Sequence, residues 1–275
     1  MLKKLLLIGG LLGAGVAQAF APQAGAWVIT SENNGGPGRG MALDVQGSTL
    51  VMQMYAYDIS GAPAFYLASG AIKDNKFTGK LHQYRGGRYF GGGAENAQEV
   101  GDAGEVKLRF ESGTKGYVTF PNEGEKEISR YQFTYDTKPE SLKGQWLMTA
   151  VGDLGISTEF YKLDTPVDGS GTGTGMMSTS DKRFGCENII FGENAGNVQC
   201  IKRDANSQII RVYRFTYSVN EGEGVAGTLS KPGTDLLYVR RLTTADSVGT
   251  GIAPKGLVAP SVESLNKAQL ANETK

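Results

Sequence analysis

The stretch Met41-Ala42-Leu43-Asp44-Val45-Gln46-Gly47-Ser48-Thr49-Leu50-Val51-Met52-Gln53-Met54-Tyr55-Ala56-Tyr57 decides the fold. Met41–Val45 and Thr49–Tyr57 read as two strands, and Gln46-Gly47-Ser48 between them reads as a hairpin turn. Within the longer strand, Leu50, Met52, Met54 and Ala56 share one face while Val51, Gln53, Tyr55 and Tyr57 share the other. A strict period of two is the pattern of a half-buried strand, and it does not fit a helix.

The same alternation of short apolar runs and turn clusters extends in both directions. Asp58-Ile59-Ser60-Gly61 is the next turn, because an aspartate side chain can accept hydrogen bonds from the amides that follow it. Pro63 then limits pairing at the start of a strand over Ala64–Ala68. Further strands are expected at Phe77–Tyr84, Glu105–Glu111, Gly116–Phe120 and Glu127–Phe133. Together they make one antiparallel domain over 20–136, and the polar, proline-containing run Asp136–Glu140 opens a linker over 137–143. A second β domain over 144–243 has expected strands at Trp146–Ala150, Ser157–Leu163, Asn188–Phe191, Asn197–Arg203, Gln208–Tyr217 and Leu236–Leu242. The chain is therefore expected to be all-β: two tandem antiparallel domains, each a small barrel or a sandwich.

Two internal echoes accompany this division. Gly144-Gln145-Trp146 repeats Gly25-Ala26-Trp27, and Tyr213–Tyr217 resembles Tyr131–Tyr135. They imply different periods, so both cannot mark one repeat. The Gly-x-Trp start suggests small barrels in which the Trp packs under the floor against a late arginine, Arg130 in the first domain and Arg240 in the second. After Thr243 the periodicity stops. Residues 244–275 read as a flexible tail holding one short helix over Ser261–Leu270.

Composition narrows the partners. The chain has 40 glycines in 275 residues, about twice the usual share, without a collagen period, which implies many tight turns. Lys3 and Lys4, the apolar run Leu5–Val16 and the small residues of Ala17-Gln18-Ala19 form a signal-peptide pattern over 1–19, with cleavage before Phe20. The apolar run falls short of the ~20 residues that span a bilayer. The strands also lack the outward apolar band of a membrane barrel. The expected address is the periplasm or the extracellular medium. Without the two signal lysines the balance is 26 basic against 28 acidic residues, which disfavours nucleic acid and anionic membrane surfaces as partners. Both cysteines, Cys186 and Cys200, fall in the exported part, where an oxidising compartment favours a structural disulfide.

No catalytic constellation assembles in the sequence. His82 is the single histidine and no G-x-S-x-G elbow accompanies it, so it reads as a side chain at the rim of a sheet, on a strand with Lys80 and Tyr84. The S-x-x-K tetrapeptides Ser112–Lys115 and Ser264–Lys267 lack their companion boxes. Gly169–Gly175 lacks the strand, helix and lysine of a phosphate loop and reads as a flexible hairpin loop. One histidine and one cysteine pair make a zinc or copper site unexpected, and no motif implies a cofactor. Asp44, Asp58, Asp153, Glu159 and Asp164 are scattered, and a hydrolase acting through Asp44, Asp58 or Glu159 on glycan or envelope material stands as an alternative.

Binding is the leading expectation. Tyr84-Arg85-Gly86-Gly87-Arg88-Tyr89 sets two arginines beside two tyrosines on a glycine-rich loop. Tyr84, Arg85, Arg88 and Tyr89 could hold a carboxylated, phosphorylated or sugar ligand by bidentate bonds and stacking. The cluster Tyr55, Tyr57, Phe65 and Tyr66 reads first as core or sheet-face packing, with a concave pocket as its alternative. The expected role is a non-catalytic module that binds an unknown ligand or protein partner in the cell envelope or medium. A carrier of a small apolar ligand inside one barrel is a further alternative.

Gly36-Pro37-Gly38-Arg39-Gly40-Met41, Asp44–Gly47, Tyr55–Tyr66 and Ile128–Phe133 resemble a family of uncharacterised exported bacterial β proteins with the pattern G-R-G-F…Q-G…Y-x-Y-D-x-x-G-x-P-x-W-Y. Gly144–Trp146, Gly185–Glu187, Val198–Cys200, Asn220–Val225 and Tyr238–Leu242 are similar to that family's companion region. The resemblance covers about 24–243, with Phe65 where the family often has Trp and Met41 where Phe is usual. It implies an architecture and an exported address, and no mechanism.

Overall fold

The computed structural model describes residues 21–246, 248–250, 263, 264 and 267. The signal pattern over 1–19 and most of the expected tail and its helix lie outside the described residues. Eight antiparallel strands follow one another around a closed barrel: β1 (Gly25–Ile29), β2 (Gly40–Gln46), β3 (Thr49–Tyr57), β4 (Pro63–Lys73), β5 (Lys76–Arg85), β6 (Gln98–Phe110), β7 (Lys115–Thr119) and β8 (Lys126–Arg130). Strand β8 pairs back onto β1, with Trp27 opposite Arg130. The alternation read from the sequence fills the interior with Leu50, Met52 and Met54 from β3, together with Ile29, Leu43, Phe77, Val106, Leu108, Val118 and Ile128. The outer wall carries ion pairs such as Lys80–Asp102, Arg109–Glu125 and Lys115–Glu127. No helix among the described residues is long and apolar enough to cross a membrane.

The second domain is a nine-stranded antiparallel sheet curled into a half-barrel. Its strands are β9 (Gly144–Gly152), β10 (Gly155–Leu163), β11 (Thr165–Val167), β12 (Gly173–Ser178), β13 (Phe184–Ile189), β14 (Val198–Arg203), β15 (Ile209–Ser218), β16 (Glu221–Gly227) and β17 (Asp235–Thr243). They lie in the order β10-β9-β17-β16-β15-β14-β13-β12-β11. Cys186 on β13 and Cys200 on β14 stand directly opposite each other and form the expected disulfide, buried in the core.

Three features depart from the sequence reading. The strand expected at Asn188–Phe191 is β13, which runs earlier. Every residue from Phe184 to Ile189 is buried, so the segment has no exposed face and shows no alternation. Strand β16 was not expected, because Gly222 and Gly224 occupy positions where a Cβ would meet Tyr217 and Phe215. Its glycines are packing requirements that resemble loop composition. Residues 168–175 are no free loop either. The backbone amides of Ser170 and Gly175 donate to the buried carboxylate of Glu187, and a Cβ at Gly169 or Gly173 would collide with that side chain.

The Gly-x-Trp echo is a real structural equivalence. Gly25 and Gly144 both have strongly positive φ, +124° and +134°. A Cβ on the first would strike the Arg130 guanidinium, and on the second the Thr243 carbonyl. Each Trp donates its indole N–H to the carbonyl four residues before it, Trp27 to Gln23 at 2.9 Å and Trp146 to Leu142 at 2.8 Å. Arg130 donates to the carbonyls of Ala24, Ala26 and Tyr131. Its counterpart is Arg241, which corrects the expectation for Arg240. Arg241 lies opposite Trp146, is fully buried, sits 4.3 Å over the indole and donates to the carbonyls of Lys143 and Ser141. Strand alternation turns Arg240 outward, where it pairs with Glu221. The other echo is accidental, since Tyr213–Tyr217 is part of β15 while Tyr131–Tyr135 lies in the connection.

That connection joins the two floors. Its 3-10 turn Pro139–Leu142 buries Ser141 and Leu142 under the second domain, Tyr135 packs on Tyr217 and Arg241, and Gln132 donates to the Tyr217 carbonyl. From the first floor, Gln23 donates to the Glu221 carbonyl. The start of the expected tail also folds back, with Thr244 N–H bonded to Val248 and Thr250 N–H to Leu242. Replacing Arg241 by Ala strips two buried carbonyls and an indole face of their partner. In urea unfolding this is expected to cost about 3 kcal/mol. Arg240→Ala, which loses one exposed ion pair, is expected to change stability by under about 0.5 kcal/mol.

Candidate functional site

The turns β1–β2, β3–β4, β5–β6 and β7–β8 gather at the end of the first barrel opposite the Trp27 floor. The β3–β4 hairpin overshoots there: β2 stops pairing at Gly40, opposite Tyr55, while β3 continues to Tyr57 opposite Pro63. The turn at its tip is built by Asp58, whose Oδ1 accepts from the amides of Ser60 and Ala62 and from the Ser60 hydroxyl. These bonds, that of the Ser60 hydroxyl foremost, hold the Asp58 carboxyl below its usual range, and Arg85 adds to the effect. Arg85 therefore stands close to the tip.

Alternation sends Tyr55, Tyr57 and Phe65 outward on this hairpin, where they are 58%, 51% and 53% exposed. Tyr55 and Phe65 are cross-strand partners. The β4–β5 register pairs Leu67 with His82 and Ile72 with Phe77. Extended by two residues, it sets Tyr84 beside Phe65, so four aromatic residues share one exterior face of three adjacent strands. Tyr55, Tyr57 and Phe65 line a concavity of about 610 Å³ together with Gly38, Gln53, Pro63, Tyr66 and Leu67. Of the core or sheet-face packing expected for this cluster, Tyr66 takes the core position, half-buried against the barrel interior, while Tyr55, Tyr57 and Phe65 lie on the sheet face and line the concavity that stood as the alternative.

The four residues singled out in the sequence are divided by the structure. Tyr84 is half-buried beside the aromatic face, and Arg85 is exposed near the hairpin tip. Arg88 and Tyr89 belong to the exposed loop after β5, where Arg88 Nε donates to the Gly92 carbonyl at 2.8 Å and Tyr89 accepts from the Gly92 amide. Gln53 and Gly38 went unremarked as site residues. The outward position of Gln53 was legible from the period of two, whereas Gly38 reaches the groove through a loop with no such signal.

Gly38 is fixed by its neighbour. The Arg39 guanidinium bridges Glu32 and Glu123 and lies 4.9 Å from the Phe120 ring, and Lys126 pairs with both carboxylates. Bonding to Arg39 is the main cause that pulls Glu32 below its usual range and Glu123 down to about 2. The network ties the β1–β2 loop to the β7–β8 turn beside the groove.

The remaining titratable candidates are spread over the molecule. His82 Nδ1 lies 2.7 Å from Glu99 on β6. Asp44 bonds the Gln46 side chain on the first barrel's exterior. In the second domain, burial works to raise Glu159, but hydrogen bonds from Lys202 and Tyr213 outweigh it and hold the carboxyl below its usual range. Asp44 and Asp58 thus lie on one domain and Glu159 on the other. Among the described residues no three His, Cys, Asp or Glu side chains are grouped to hold a metal ion.

Comparison with protein-family profiles, curated protein sequences and solved structures finds no match. What this site does therefore rests on its own geometry.

A depressed carboxylate stabilises the fold above its unfolded value, near 4.5, and that contribution disappears as pH falls toward the folded value, about 2 for Glu123. Between these limits the Arg39 clamp is expected to release. Protection of the amides in the Thr30–Arg39 loop, taken relative to their intrinsic exchange rate at each pH, should fall through that window in the native chain, and Glu123→Gln should show low protection there already at neutral pH.

Proposed function

We propose that this protein is an exported, non-catalytic glycan-binding protein whose binding face is the aromatic groove of the first barrel. The observation that carries the reading is the half-exposure of Tyr55, Tyr57 and Phe65 on one exterior face, around a groove with polar groups at its margins. Burying such rings in a core would be the ordinary outcome, so a cluster left open to water marks an interaction site. Aromatic rings stack on the C–H faces of sugars, while Gln53, Asp58 and Arg85 offer hydrogen-bond partners for hydroxyls at the rim. A carrier of a small apolar ligand fits less well, because the first barrel's interior is occupied by its own side chains. The disulfide accords with an oxidising, exported setting.

Affinity electrophoresis through gels containing soluble β-glucan, chitosan or xylan tests the reading. The protein is expected to be retarded by at least one polysaccharide. Tyr57→Ala and Phe65→Ala should each weaken that binding about tenfold, ~1.4 kcal/mol, without changing the unfolding midpoint. Retardation lost in the Arg85→Ala/Arg88→Ala double variant but kept in both aromatic variants would transfer the site to the loop after β5. No retardation by any polysaccharide would contradict the glycan reading.

A further inference from the structure

The β16–β17 connection roofs a cleft on the outer face of the second domain. Tyr213, Phe215 and Ala226 turn into the core, so strand alternation turns Val212, Arg214 and Val225 outward. Gln199 on β14, Arg214 on β15 and Val225 on β16 stand in one cross-strand row, and Val212 and Gly227 face each other in the next. Gly227 leaves room there for the connection itself, since a Cβ on it would run into the Lys231 carbonyl. A turn fastens the loop, with the Thr228 and Lys231 amides each donating to the other's carbonyl at 3.2 Å. Gly233 then passes over Val225, where a Cβ would come 3.6 Å from a valine methyl. Between this roof and the strands lies a cleft of about 300 Å³.

The cleft joins apolar walls to a cation that nothing in the fold uses. Val212 and Val225 line it from the sheet, Leu229 and Pro232 from the roof, and Arg214 and Gln199 form its polar side. Every other arginine of the second domain is engaged: Arg183 with Asp181, Arg211 with Asp235, Arg240 with Glu221, and Arg203 and Arg241 with backbone carbonyls. Arg214 and Gln199 have no side-chain hydrogen bond or ion pair among the described residues. Glu223, the next outward residue along β16, stands opposite Thr216 and forms no ion pair with Arg214. Tyr213 packs its ring in the core, so no aromatic face is presented to the cleft. A sugar would find nothing to stack on here, which sets this site apart in chemistry from the groove of the first barrel.

We propose that this cleft is a second ligand site, which takes a small monocarboxylic acid with an apolar body. A free guanidinium presents parallel N–H donors that match the two oxygens of one carboxylate, and the Gln199 amide adds a further donor. The hydrocarbon part then covers Val212 and Val225 beneath Leu229 and Pro232, removing apolar surface from water. A cleft of this volume, at the lower end of ligand sites, suits a branched aliphatic or a single-ring aromatic acid. One positive charge against apolar walls does not suit a multiply charged phosphate, whose remaining charge would lose its water without gaining a partner.

Two-dimensional NMR titration of the protein with benzoate, isovalerate and hexanoate tests this, with the neutral amide of each acid and inorganic phosphate as controls. At least one acid is expected to give saturable shifts at Gln199, Val212, Arg214, Val225 and Leu229–Gly233. Its amide, alike in shape but without the charge, and phosphate should each bind at least tenfold more weakly. Arg214→Gln is expected to weaken the acid at least tenfold while leaving the unfolding midpoint unchanged. The groove of the first barrel takes no part, so Tyr57→Ala should bind the acid as the wild type does. Absence of saturable shifts at these residues with all three acids overturns the inference. So does an amide or phosphate that binds as well as the acid, or acid binding that Arg214→Gln retains in full.

Discussion

Both domains are organised by a buried tryptophan braced by an arginine from the last strand. The indole N–H reaches a carbonyl four residues back and the guanidinium gathers the carbonyls of the entering chain. The first and last strands of each domain are thereby locked at one end. A guanidinium that is fully buried, as in Arg241, is costly to desolvate, and burial pulls its pKa below the usual value against the opposing effect of Tyr217 and Tyr135. It persists because its two terminal nitrogens meet backbone oxygens that would otherwise lack partners, and because its faces rest on aromatic rings. The two floors then face each other through the connection, which turns the opposite end of the first barrel outward.

That orientation explains where binding can occur. The floor is occupied by packing and by the second domain, whereas the far end is free to extend a hairpin beyond the barrel wall. Tyr55, Tyr57 and Phe65 have no neighbouring strand to cover them there, and the Arg39 clamp keeps the adjoining loop in place. The second domain uses its own freedom differently, opening its sheet at β10 while ion pairing and ring stacking fill the space behind it.

Much of the first barrel was legible in the sequence because its strands have one wet and one dry face, as Leu50–Ala56 shows. The second domain was harder to read where that contrast fails. Strand β13 is dry on both faces, and β16 sets Gly222 and Gly224 against Tyr217 and Phe215. The floor arginine was misplaced by one residue, since either of two adjacent arginines satisfies the spacing and only strand phase distinguishes them. For the site, the sequence held the aromatic residues and their period of two. It could not show that the hairpin outruns its neighbours, and so read Tyr55, Tyr57 and Phe65 first as core or sheet-face packing, with a pocket as the alternative, and favoured the arginine loop. Tyr84 and Arg85 join the groove's surroundings through the β4–β5 register and the nearness of Asp58, which are long-range facts.

The account's central claim is that the exposed aromatic face is where ligand binds. Its most direct test is a two-dimensional NMR titration with neutral oligosaccharides from the polysaccharide that retards the protein, followed residue by residue. The account requires saturable shifts concentrated at Gln53–Tyr57, Pro63–Leu67 and Tyr84, with the second domain unmoved. Saturable shifts confined to the second domain, or to the loop carrying Arg88 and Tyr89, would contradict it.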